Sequence, residues 1–170
     1  RVTQFDADRM KREQLAYGLT LDLEGAIDRG ELVLQYQPKV ELPSRRTVSL
    51  EALVRWRHPE RGMIPPGAFI AEAEATGAIN LLTMWAVREA ARFLLTLSDA
   101  SVRVSVNITA FDLATPKFVQ SVLQVLAQEN CPPDRLILEV TETAALSDRE
   151  RASEILAEFR SHGIQIALDD

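Results

Sequence analysis

RLILEVTE, residues 135–142, puts Leu136, Leu138 and Val140 on one side of an extended segment and Ile137, Glu139 and Thr141 on the other, because successive side chains of a strand point to opposite faces. Three other segments share this build. In SLEALVRW (49–56), Leu50, Ala52, Val54 and Trp56 oppose Glu51, Leu53 and Arg55. In VRVSVNIT (102–109), Val102, Val104, Val106 and Ile108 oppose Arg103, Ser105 and Asn107; in IQIALDD (164–170), Ile164, Ile166 and Leu168 oppose Gln165, Ala167 and Asp169. Each polar face therefore carries an acid or amide: Glu51, Asn107, Glu139 or Asp169. Carboxylates gathered together raise one another's pKa, and a divalent cation relieves that repulsion. An all-oxygen donor set suits Mg²⁺ or Mn²⁺ better than zinc.

The segments between these strands have helical spacing. Ile79, Leu82, Ala86, Ala90, Phe93, Leu94 and Leu97 trace one face of a long helix. Phe118, Val122, Val125 and Leu126 trace a second, which runs through CPPD (131–134) into the 135–141 strand. Ala152, Ile155, Leu156 and Phe159 trace a third, ending at His162 and Gly163. Upstream, Leu15, Leu19, Leu23, Ala26 and Ile27 predict a helix over 9–29 that Gly30 is placed to end. Leu32, Leu34 and Tyr36 predict a strand whose alternation Pro38 stops. LPSRR (42–46) reads as a turn and HPERGMIPPG (58–67) as a Pro/Gly-rich loop.

From residue 48 onward strand and helix alternate, which implies a parallel sheet with right-handed crossovers and all strand C-termini at one end. An open doubly wound sheet and a (β/α)8 barrel both fit that order. The polar faces favour the barrel, since strands of an open parallel sheet are covered on both sides and read as apolar throughout. A complete barrel takes about 250 residues. The five strands legible in these 170 residues cannot close one alone.

Composition narrows the function classes. With 46% hydrophobic residues the chain can bury a core. No apolar run reaches the roughly 18 residues of a transmembrane helix, and the beginning, RVTQFDADRMKREQ, lacks a signal peptide's apolar stretch, so a cytoplasmic setting, or the cytoplasmic part of a membrane-anchored protein, is expected. A net charge of −6 argues against binding a long nucleic-acid duplex through its phosphates. A small anionic ligand in a cation-lined cleft remains compatible with it. Cys131, the single cysteine, reads as a structural thiol. Trp56 and Trp85 read as core residues, and neither His58 nor His162 is assigned to chemistry.

ELVLQYQPKV (31–40), EALVRWRHPERG (51–62), AEAEATGAI (71–79), SVNITAFDL (105–113), LILEVTETAAL (136–146) and GIQIALDD (163–170) occur in one order. Together they resemble the N-terminal two-thirds of an EAL domain, the bacterial cyclic di-GMP phosphodiesterase family. The resemblance implies a TIM-like (β/α)8 barrel with an antiparallel first strand, here truncated after about five strands. It implies residues 1–18 as a connector helix from an upstream domain and 19–170 as the EAL domain, incomplete at its C-terminus. It further implies hydrolysis of cyclic di-GMP to linear pGpG with two Mg²⁺ or Mn²⁺ ions, commonly as a homodimer behind a GGDEF or sensor domain. Membrane contact by this domain is not expected.

Position by position, the resemblance makes Glu51, Asn107, Glu139 and Asp169 ligands of a first ion, with Asp169 bridging to a second that Asp170 binds. Glu51, Glu139 and Asp169 are thereby the catalytic acids. Arg55 would contact a substrate phosphate, Gln37 and Leu53 would line a guanine pocket, and Glu142 would brace the loop beyond Asp170. Such an ion pair would activate a water between them, and a guanidinium suits a phosphate through its paired donors. Family members continue into a Phe-Gly-Thr-Gly loop and later supply a lysine and a further glutamate. The 170 residues carry none of these, so this piece alone is expected to be inactive and the natural protein to continue.

Structural readings stand beside these. Glu51 could pair with Arg55 along its strand, Asn107 could turn the chain at a strand end, and Asp169 and Asp170 could cap a helix. Two other functions also stand: a catalytically inactive EAL receptor for cyclic di-GMP, and an unrelated metal-dependent barrel acting on another phosphate ester.

Overall fold

The computed structural model describes residues 23–169. These hold seven helices and a six-stranded mixed sheet. In chain order they are α1 (Leu23–Asp28), β1 (Leu32–Val40), β2 (Thr47–His58), β3 (Gly62–Ile64), α2 (Ile70–Thr76), α3 (Ile79–Thr96), β4 (Arg103–Ile108), α4 (Ala110–Ala114), α5 (Phe118–Gln128), β5 (Leu136–Thr141), α6 (Glu142–Ser147), α7 (Arg149–Ser161) and β6 (Gln165–Asp169). The sheet runs β1-β2-β4-β5-β6, with β3 attached to β2, and it is open rather than closed. β2, β4, β5 and β6 pair in parallel. β1 neighbours β2 across a six-residue connection (41–46). Parallel neighbours need a crossover of a dozen residues or more, so β1 is antiparallel to β2.

Chain contacts divide the fold into two compact units: residues up to Val33 with Val54–Leu82, and Leu34–Leu53 with Thr83 onward. In the first, α1 ends at Gly30 in the left-handed region (φ 68°), where Glu31 N–H reaches the Ala26 carbonyl at 2.9 Å and Gly30 N–H that of Ile27 at 3.0 Å. This is the closing pattern that a residue lacking Cβ permits without strain. The 9–22 part of the expected helix lies outside the described residues. Trp56 is fully buried, meets the Phe69 ring edge-on at 5.4 Å and donates its indole N–H to Glu31 Oε2 at 2.9 Å.

Part of the 58–67 stretch is not loop. Gly62–Ile64 folds back antiparallel on β2, pairing Ile64 with Trp56 and Gly62 with His58. Ile64 is thereby buried.

The second unit holds the parallel core. Val104, Val106, Leu136, Leu138 and Val140 are buried on the aliphatic side of β4 and β5. Most of the helical stripes are buried too, with Phe93, Leu97 and Ile155 only half-buried, and Phe118 of α5 meets Phe159 of α7 edge-on at 5.6 Å. Cys131 is buried and free, and burial pushes its thiol pKa up. His162 caps the end of α7. Trp85, expected in the core, is only half-buried on α3.

Two strand ends depart from expectation. β1 continues through Pro38 to Val40. It can do so because it is the terminal strand of the described sheet, where a missing N–H disrupts no second ladder. Leu168, on the aliphatic face of β6, is 68% exposed at the other terminal strand.

Candidate active site

Register fixes where the acids stand. Glu51 pairs with Ser105, Asn107 with Glu139, and Glu139 with Ala167. Residues in register face the same way, so Glu51, Asn107, Glu139 and Asp169 share one face of the sheet. Their levels climb across it. Asn107 and Glu139 stand two residues beyond the level of Glu51, and Asp169 two beyond theirs. Barrel strands tilt by about 36°; with a spacing of about 4.8 Å and a rise of about 3.3 Å, a horizontal ring steps about one residue per strand. A climb of four residues across three strand junctions is close to that ring.

β4 and β5 are each stopped just beyond the polar residue they deliver. Thr109, two residues after Asn107, caps α4 in a reciprocal box: its hydroxyl accepts from Asp112 N–H at 3.3 Å while Asp112 Oδ2 accepts from Thr109 N–H at 2.9 Å. Asp112 is fully buried and also accepts from the hydroxyls of Thr83 (2.9 Å) and Thr109 (3.0 Å). Thr141, two residues after Glu139, caps α6 by accepting from Ala144 N–H at 3.2 Å. Both caps turn the backbone out of the sheet.

Three of the four candidates converge. Asn107 donates its amide N–H to Glu51 Oε1 at 3.3 Å. The Lys39 ammonium lies 3.3 Å from Glu51 Oε2 and donates to Glu139 Oε1. Burial lowers the Lys39 pKa, but its bonds to Glu139 and Glu51 outweigh this and the net shift is upward. Glu139 is 4% exposed, and its second oxygen, Oε2, is buried with no hydrogen-bond partner. A carboxylate oxygen buried without a donor is suited to ligate a cation. The adjoining Ser105 hydroxyl, on the same face, is likewise buried without a partner.

Hard oxygens, an orphan carboxylate oxygen and an ammonium already held between two acids all fit a hard divalent cation. Glu51, Asn107 and Glu139 are the residues that would hold it. Asp169 is on the same face but exposed, at the last described position. Among the described residues no three Asp, Glu, His or Cys side chains are placed to share one ion, so Asp169 stands apart from the Glu51–Glu139 pair. Asp170 lies outside the described residues.

The remaining candidates are placed as follows. Gln37 is exposed on β1 and Leu53 half-buried on β2. Arg55 belongs to the other compact unit, where its Nη1 donates to the Val54 carbonyl at 2.8 Å. Glu142 is exposed at the first position of α6, and the cap there is Thr141 rather than an acid.

Lys39 is the participant that sequence reasoning missed. Ending the strand at Pro38 removed Lys39 from the alternation; continuing it puts Gln35, Gln37 and Lys39 on one face.

A parallel sheet with this ladder of acids defines the chain's class, and the chain belongs to the EAL domain family: the EAL domain model matches residues 21–170. Its fold is that of the family's TIM-like barrels, here with the barrel not closed. It is 37% identical over 169 residues to the bifunctional diguanylate cyclase/cyclic di-GMP phosphodiesterase MucR of Pseudomonas aeruginosa, covering 98% of this chain and 25% of that protein. It is 38% identical over 157 residues to the cyclic di-GMP phosphodiesterase PdeR of Escherichia coli, covering 89% of this chain and 23% of PdeR. The chain thus spans about a quarter of the length of these relatives. Among solved structures, the PaMucR phosphodiesterase in complex with c-di-GMP superposes with a TM-score of 0.84 at 39% identity, covering 90% of this chain and 63% of that one. The FimX EAL domain from Pseudomonas aeruginosa bound to c-di-GMP shares the fold at 20% identity, with a TM-score of 0.79 over 89% of this chain and 61% of that one.

Proposed function

We propose that the complete protein hydrolyses cyclic di-GMP to linear pGpG in a reaction that depends on Mg²⁺ or Mn²⁺. The observation that carries this reading is the Lys39 ammonium held between Glu51 and Glu139, with Asn107 bonded to Glu51, the two acids and the amide being supplied by three neighbouring parallel strands. Similarity to MucR and PdeR, both named as cyclic di-GMP phosphodiesterases, supports it.

In this reading Glu51 and Glu139 fix the cation through their carboxylates and Asn107 through its amide oxygen, while the amide N–H stays on Glu51. Asp169 and Asp170 complete the donor set from the end of β6. When bound, divalent ions supply a lowered pKa for water and compensation of charge on the attacked phosphate. Arg55 binds a phosphate oxygen through its forked donors, Gln37 and Leu53 hold a guanine, and Glu142 braces the loop that follows Asp170. The same reading puts the chain in the cytoplasm beside a GGDEF or sensor domain, acting as a homodimer. Among the described residues no helix is long and apolar enough to cross a membrane.

The test is turnover. Full-length protein with Mn²⁺ and cyclic di-GMP should release pGpG, and Glu51→Ala should stop it. Calorimetric binding without release would replace the enzyme by a receptor, and neither binding nor release would end the proposal.

A further inference from the structure

We propose that Lys39 is a positioning residue that competes with the divalent ion for Glu51 and Glu139, holding the two carboxylates together until the ion displaces it. This rests on the metal-dependent reading above.

The geometry gives Lys39 both properties that such a competitor needs. Its ammonium touches one oxygen of each acid, so it occupies the point on which both converge. Its side chain is 43% exposed, whereas that of Glu139 is 5% exposed and held on a strand paired on both sides. The lysine has a flexible four-carbon stem and water beside it. Exchange therefore moves the lysine and leaves the carboxylates in place.

Charge explains why an occupant is needed. Glu51 and Glu139 are both bonded to a single cation, and without one their mutual repulsion would fall on a buried group that cannot move into solvent. The ammonium satisfies Glu139 Oε1 only and leaves Oε2 without a donor. A divalent ion offers twice the charge and several coordination positions, so it can outcompete the lysine.

Competition and mere structural support predict opposite signs. If Lys39 competes, Lys39→Met in the full-length protein should bind Mn²⁺ more tightly by calorimetry, by about tenfold. The same variant in chelator should melt at a lower temperature than wild type, because two acids then face each other unpaired. Lys39→Arg, which keeps the charge, should behave as wild type in both measurements. Weaker Mn²⁺ binding by Lys39→Met would make the lysine a support for the ligands and overturn the proposal. So would wild-type affinity in that variant. If wild type itself binds no Mn²⁺, the metal-dependent reading fails, and the competition fails with it.

Discussion

Asn107 and Glu139 are register partners on neighbouring parallel strands, and each stands two residues before a threonine that caps the next helix. One rung of the sheet thus carries an amide and an acid side by side, each just before its strand stops. The site is built by the same device twice.

Glu139→Gln keeps the shape of the side chain and removes its charge. Lys39 loses a charged partner, and a cation loses the acid whose Oε2 has no hydrogen-bond partner among the described residues. Hydrolysis by the complete protein should fall at least about 100-fold, about 2.7 kcal/mol of barrier, with the circular dichroism spectrum unchanged. A wild-type rate would take Glu139 out of the site.

The Asp112 carboxylate closes the cap directly after Asn107 and receives the buried Thr83 hydroxyl. Asp112→Ala removes the cap and strands these donors. Urea denaturation should show a loss of about 2–4 kcal/mol. A loss below about 0.5 kcal/mol would mean that water replaces the carboxylate at little cost.

Arg135, just before β5, gathers three carbonyls: its Nη1 donates to Leu94 at 2.9 Å, and its Nη2 to Val102 at 3.1 Å and Asp99 at 3.2 Å. This ties the end of α3 and its following loop to the start of β5. Arg135→Ala should lower stability by about 2 kcal/mol. Arg135→Lys should recover less than half of that, because an ammonium cannot reproduce the planar fork. Thermal melts of both variants decide it.

Glu31 has its pKa held below the usual carboxylate value of 4.5 by its hydrogen bonds from Arg29 and from the Trp56 indole. A lowered folded-state pKa means that the associated stability is complete above 4.5 and fades as pH falls through the folded value. Trp56 fluorescence should accordingly be constant above pH 4.5 and change on further acidification. In Glu31→Gln that step should be absent. A step of equal size in the variant would assign it to another group.

The aliphatic and polar faces of β2, β4, β5 and β6 were legible because period-2 alternation needs only the residues themselves. Closeness was not. Alternation puts Glu51, Asn107, Glu139 and Asp169 on one face, but only the side-chain contacts tell that Asn107 meets Glu51 and that Lys39 joins Glu51 to Glu139 while Asp169 stands apart. The helices Ala110–Ala114 and Glu142–Ser147 are too short for periodicity to show. Thr109 with Asp112 three residues later is nonetheless a capping-box signal that could have found the first. Lys39 escaped because Pro38 stops a strand only where both sides must be hydrogen bonded, and edge position is not written locally.

The diagonal climb of the ligand candidates makes the sheet unforgiving of length changes. One residue inserted within β4 would turn Asn107 toward the helices and shift all that follows by half a pleat repeat. The same insertion between Glu41 and Arg46 would leave every acid where it was. Divergence in this fold is therefore free to lengthen or recompose its connections, while the strands can change in chemistry but not in count.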